Sequence, residues 1–390
     1  MRQFSNQERR RRLGIRHHLA DPAQTVEEVA TSLVGLHSSD PATIYLSSRS
    51  RLADFHMAQL EEALYGRRTL VRHLGMRRTL FVVPIDVAAL MDAACTRLLA
   101  PPQRRRLTGY LESQGVTGDG EKWLAAVEAD TMAALRRLGP ATARELSAEV
   151  PALTTKLKFG GDKSWAGVVG VSTRVLFLLA TSGKIVRTKP LGTWLSSQYR
   201  WAAISDWIPD GFEEFDTAAA QAELVKLWLA SYGPGTLLDL SWWTGWGKRV
   251  TRQAIDSCGA VAVDLEGQEG FALADDLEAV PEVDNWAAFL PSLDSTTMGW
   301  KERSWYLGDH QSVLFDRNGN AGPTIWLDGR VVGGWSQGSN GSIRYRLLED
   351  VGRYASARIA EQSGELEGWF GDTRLTPRFR TPLEKELTAE

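Results

Sequence analysis

Two ten-residue phrases constrain this chain more than any other feature, LGPATARELS at 138–147 and YGPGTLLDLS at 232–241. In each, Gly-Pro ends a long helical pattern, a threonine follows two residues after the proline, and an acidic-Leu-Ser run closes the phrase. Proline lacks the N–H a helix needs and disfavours helical backbone at the residue before it. Thr142, with Glu145 three residues on, then offers a capping-box start for the next helix. The same order of periods surrounds both phrases. Lys122 to Leu138, Thr142 to Val150 and Val168 to Ser182 read as helices, followed by a hairpin of Lys184 to Lys189 and Trp194 to Trp201 about Pro190-Leu191-Gly192. Thr217 to Tyr232, Thr236 to Thr244 and Lys248 to Ser257 repeat the helices, and Ala260 to Leu265 with Gly270 to Leu273 repeats the hairpin. A recurrence of this kind marks one supersecondary unit used more than once.

The first 115 residues carry a third copy of that order. Helical spacing covers Ser5 to Leu19, Thr25 to Leu36, Asp40 to Arg51 and His56 to Tyr65. The period then falls from 3.6 to 2 over Thr69 to Leu74 and Arg78 to Val83, joined at Gly75-Met76. Helices closed by a short hairpin predict a winged-helix unit. From about Asp276 short strand-like runs follow at Trp286 to Leu293, Trp300 to Leu307, Ser312 to Phe315, Thr324 to Leu327 and Arg330 to Trp335, then a helix near Leu347 to Ser363 and a polar tail. The expected fold is mainly α with β: three tandem winged-helix units and a small C-terminal antiparallel β-barrel. The expected boundaries are 1–115, 116–212, 213–275 and 276–390.

Composition narrows the function. At 390 residues, 43% hydrophobic and 24% charged, the chain exceeds one ordinary core and has no apolar run long enough to cross a bilayer. The reading is a soluble cytoplasmic protein. Cys95 and Cys258 stand far apart, and the six histidines form no metal-binding cluster, so no metal and no cofactor are expected. The net charge of -3 does not announce a nucleic-acid binder, but phosphate contacts are local. Arg77 and Arg78 lie on the first wing, and Lys248, Arg249 and Arg252 on the third recognition helix. Three winged-helix units carrying these cations favour DNA over a protein-interaction scaffold.

One polar elbow stands out, His37-Ser38-Ser39-Asp40. Asp40-Pro41 has the form of a helix start, with aspartate capping exposed amides and proline at the first helical position. His37 and Ser39 have bland readings as capping or core groups. Together, an imidazole, a hydroxyl and a carboxylate within four residues could hold and polarise a water beside a helix N-terminus.

GLHSSDPATIYLSSRSR, MRRTLFVV, LSWWTGW, LPSLDSTTMGWKERSWYL and FDRNGNAGPTIWLDGRVVGGW carry a resemblance to the AlkZ-type winged-helix DNA glycosylases. It covers residues 5 to 365, and its C-terminal part is the most specific. The resemblance implies a C-shaped clamp on double-stranded DNA, acting as a monomer associated with the nucleoid. It further implies excision of bulky N7-alkylpurines, including unhooking of interstrand crosslinks, in repair or in self-resistance to an alkylating natural product. The family's Gln-x-Gln (or Gln-x-Asp) motif falls at His37-Ser38-Ser39, so His37 and Ser39 replace both outer positions. His37, Ser39 and Asp40 become the implied catalytic residues. The family's DNA-probing hairpin falls near Asp316 to Pro323, which makes Arg317, Asn318 and Asn320 candidate DNA contacts. No lysine occupies the elbow to form a Schiff base, so hydrolysis without strand nicking is expected. A DNA-binding regulator that does not cut is the alternative.

Overall fold

Side-chain caps start the helices where the sequence offers them. Ser5, Thr25, Asp40, Asp119, Thr142, Asp216 and Thr236 each accept a backbone N–H from the first turn that follows. Thr142–Glu145 and Thr236–Asp239 close full capping boxes, so both members of the repeated phrase start a helix the same way. The computed structural model describes residues 1–160, 166–283, 285–377 and 380–389.

The strands are β1 (Leu36–His37), β2 (Leu70–Leu74), β3 (Leu80–Pro84), β4 (Ala141–Thr142), β5 (Lys156–Phe159), β6 (Gly167–Gly170), β7 (Ile185–Pro190), β8 (Tyr199–Ala203), β9 (Ala260–Leu265), β10 (Gln268–Leu273), β11 (Ala287–Leu290), β12 (Thr324–Leu327), β13 (Arg330–Gln337) and β14 (Ile343–Leu347). The hairpins β2–β3 and β7–β8 are joined edge to edge in one sheet of order β1-β3-β2-β7-β8-β4, through an Arg72–Arg187 register pair. The third hairpin, β9–β10, stands apart as its own ribbon.

Several expectations change. The run from Val168 begins as strand β6, paired with β5, and the helix starts only at Val171. Two glycines and two valines in GVVG suit an extended strand better than a helical turn. Residues 85–113, where periodicity shows no element, are helical over Ile85–Met91 and Ala100–Ser113. Trp300 to Leu307 and Ser312 to Phe315 are not strands; they contain the short helices Ser304–Leu307 and Gln311–Leu314. The predicted barrel is therefore corrected. The four-stranded sheet has the order β11-β12-β13-β14, and among the described residues its outer strands do not pair. Four strands are too few to close. Instead the Gly352–Phe370 helix packs on β11 and β14, and the tail forms a helix, Pro382–Ala389, that packs on β13 and β14.

Burial follows the same division. Residues from Leu107 to Trp201 gather into a core of their own around Leu124, Leu146 and Leu179. A larger core joins the N-terminal helix (Leu13), the first hairpin (Phe81), the 217–244 helices (Trp228, Trp243) and the 286–331 region (Trp300, Trp326). The elbow lies where this larger core meets the C-terminal sheet.

Candidate active site

His37 sits at the end of β1, not in a loop. Leu36 pairs with Val82 and His37 with Phe81, while the Ser38 N–H donates to the Leu80 carbonyl (2.7 Å). Gly35 permits this approach. Its φ is +115°, and a Cβ there would meet the Val83 side chain at 2.6 Å. The next helix begins at Asp40, whose side chain accepts from the Ala42 N–H (3.1 Å), with Pro41 opening the Pro41–Arg49 helix.

A segment distant in sequence, 291–298, forms the floor. The Ser295 hydroxyl accepts the His37 N–H (3.1 Å) and donates to the Gly35 carbonyl (2.8 Å). Thr43 donates to the Ser292 carbonyl (2.8 Å), and Ser47 donates to Asp294 (2.5 Å). Arg51 grips Asp294 through both terminal nitrogens (3.0 and 2.7 Å), and both side chains are fully buried. Bidentate geometry with extra hydroxyl and carbonyl partners is what a buried ion pair needs to hold together. From the other side, Arg72 donates to the Ser38 hydroxyl (2.9 Å) and to the Tyr65 hydroxyl (3.1 Å), with its guanidinium 4.5 Å from the centre of the Tyr199 ring.

His37 is only 4% exposed, its ring edge-on to Phe81 at 5.3 Å, and its Nδ1 is buried without a hydrogen-bond partner among the described residues. Burial, reinforced by the nearby Arg77 guanidinium, pushes its pKa down to about 3. The imidazole is therefore neutral at physiological pH and a poor proton acceptor, although it keeps a lone pair for hydrogen bonding. Asp40 supplies the negative charge of the elbow. Burial pushes Glu384, on the C-terminal helix, up to about 7, and the charge of Asp40 adds to that rise. A small cavity between Asp40, Thr43, Pro291, Ser292 and Pro323 is closed by Leu375 and Pro377.

The predicted cations divide. Arg77 stands in the β2–β3 turn with φ +52°, close enough to His37 to act on its charge, and its guanidinium lies 3.9 Å from the centre of the Trp242 ring. Arg78, also at positive φ, is exposed and faces Phe177 at 5.5 Å. Lys248 and Arg249 are exposed at the start of the Lys248–Ser257 helix, while Arg252 lies against Phe271 and pairs with Glu269 at 3.6 Å. No hydrogen bond or ion pair links these three to the elbow among the described residues. At the 315–321 tip, Asp316 accepts from the Asn318 and Asn320 backbone N–H groups and from the Asn320 amide, so Asn320 is committed to the turn. Arg317 and Asn318 remain exposed. Arg72, Asp294, Ser295, Trp242 and Arg303 were missed because each acts across 34 or more residues.

No group of three or more His, Cys, Asp or Glu side chains converges as a metal site among the described residues. No helix among them is long and apolar enough to cross a membrane.

Residues 30–387 match the model of a family described as DNA glycosylase AlkZ-like. The chain belongs to that family. Streptomyces sahachiroi DNA glycosylase AlkZ is similar in fold, with a TM-score of 0.70, 20% sequence identity, and 93% of this chain and 96% of that one covered. No curated protein matches the chain. Family membership makes DNA the partner and a DNA glycosylase the enzyme class.

Proposed function

We propose that the elbow is the active site of a monofunctional glycosylase that excises bulky N7-alkylguanines, in repair or in self-resistance to a DNA-alkylating natural product. In this reading the helix-and-hairpin units act as tandem winged helices. With units at 1–115, 116–212 and 213–275 and the sheet region at 276–390, they form a C-shaped clamp around the duplex as a monomer. The observation that carries the proposal is a buried, neutral His37 near the Arg77 cation, three residues before the Asp40 carboxylate that opens the next helix.

The chemistry suits those groups. An N7-alkylguanine already carries positive charge, so it leaves without being protonated. The enzyme must stabilise an oxocarbenium-like sugar and place a water. Asp40 supplies the stabilising charge. Neutral His37 accepts a hydrogen bond and orients the water, with Ser39 as the second partner. Because His37 stays neutral, catalysis needs no imidazolium, and the rate should show no acid limb near pH 6.5. The buried imidazole is also what favours the alternative, DNA binding without cutting.

The test is incubation of the protein with duplex DNA bearing a defined N7-alkylguanine, with measurement of abasic sites and strand nicks. Abasic sites without nicks are expected. Nicks coincident with base loss would replace hydrolysis by a lyase mechanism, and binding with no base loss would favour the non-cutting regulator.

A further inference from the structure

We propose that Arg77 and Arg303, which both lie against Trp242, form a binding site for a phosphate of the DNA backbone. The proposal rests on the glycosylase reading for its location, but it adds Arg303, Trp242 and Phe315 as a site distinct from the elbow.

Three segments meet here. Arg77 comes from the β2–β3 turn, Trp242 from the Leu237–Thr244 helix, and Arg303 from the bend before Ser304–Leu307. The Arg77 guanidinium lies 3.9 Å and the Arg303 guanidinium 4.8 Å from the centre of the Trp242 ring. The two guanidiniums are thus no farther apart than the sum of those distances. Arg303 also lies 4.6 Å from the centre of Phe315, the residue that opens the 315–321 tip. The stack runs from the turn beside His37 to the base of the DNA-probing tip.

Its charge meets hydrogen-bond partners, the Trp300 carbonyl and the Tyr306 side chain at Arg303, but no carboxylate among the described residues. Arg303 is only 6% exposed, and its Nε donates to the Trp300 carbonyl (2.8 Å). Arg77 has a buried Nε with no hydrogen-bond partner among the described residues. No carboxylate ion-pairs with either guanidinium among the described residues. The two cations oppose each other's charge: burial, with Arg303 nearby, pushes Arg77 down to about 10. Removing two like charges from water without a counterion is costly. Aromatic faces offset part of that cost. An oxyanion with two or more oxygens is the ligand that planar, forked donors match, and on DNA it is a backbone phosphate.

The experiment measures binding of the full-length protein to an undamaged, fluorescently labelled duplex between about 50 and 200 mM salt. Removing one phosphate interaction should lower the salt slope by about 0.9, so the gap between Arg303→Gln and wild type should narrow roughly three- to fourfold over that range. Arg137→Gln, on a surface pair with Glu149, serves as the control and should leave the slope unchanged. Thermal unfolding checks that the variants fold. Independently of any variant, single methylphosphonate substitutions scanned along the duplex should weaken wild-type binding at one or two adjacent positions, and those same substitutions should cost Arg303→Gln nothing further. A folded Arg303→Gln with the wild-type slope, or a scan in which no substitution closes the gap, overturns the site. Excision with an unchanged slope would leave the glycosylase standing and remove the phosphate site; the slope change without excision would do the reverse.

Discussion

Arg51 and Arg303 are both buried arginines, and they differ in what answers their charge. Arg51 meets the Asp294 carboxylate in two bonds and is further satisfied by the His17 and Ser47 carbonyls and the Thr296 hydroxyl. Arg303 meets a carbonyl and two aromatic faces. The first arrangement is complete without a ligand and fixes the floor of the elbow. The second has no carboxylate among the described residues and is linked to the elbow through Arg77 and Trp242. A buried charge with its counterion builds architecture; the proposed site differs in having two cations and no carboxylate against one ring.

The comparison breaks most easily at Asp294. Replacing it with alanine leaves Arg51 buried and unpaired, and should cost about 3–5 kcal/mol in denaturant unfolding; a loss below about 1 kcal/mol would mean the pair holds nothing. Asp40→Asn separates chemistry from structure. Asparagine is as good an N-cap as aspartate, so stability should hold within about 0.5 kcal/mol while excision slows on the order of 10²–10³-fold.

Glu384 is the mirror case, a buried acid beside an acid. Its folded pKa of about 7 lies above the ordinary unfolded value of about 4.3. Stability tied to its neutral form is thus present below about pH 4.3 and lost as pH rises through 7. Glu384→Gln should remove that loss, a gain on the order of 1–3 kcal/mol at pH 8 over the same comparison at pH 4, read from paired unfolding curves. The smallest expected effect is on Arg303→Met. It leaves no buried carboxylate unpaired and gives up a hydrogen bond to the Trp300 carbonyl, so it should change the stability of the free protein by about 1 kcal/mol. A loss comparable to Asp294→Ala would show that Arg303 is structural after all.

These contrasts also separate what the sequence reveals from what it does not. Caps and breaks are local, so Asp40-Pro41, Thr142–Glu145 and Thr236–Asp239 announced their helices correctly. The β2–β3 hairpin was readable because alternation and a turn lie within 15 residues. The 85–96 stretch is buried at nearly every position, so it shows no amphipathic stripe to count. The aromatic run at 300–315 fits a strand or a packed bend equally well, and burial against Tyr232, Trp242 and Trp326 decided for the bend. At the elbow, residue types were visible. The strand pairing of His37 and its floor at Ser295 were not, because both depend on partners 44 to 258 residues away.

The claim at the centre is that the elbow breaks a glycosidic bond. Single-turnover excision of an N7-alkylguanine from duplex DNA, with wild type and Asp40→Asn at concentrations that saturate binding for both, tests it most directly. Base release by wild type is expected, with a rate at least about 100-fold lower for Asp40→Asn at equal DNA occupancy. Equal rates for the two proteins would contradict it.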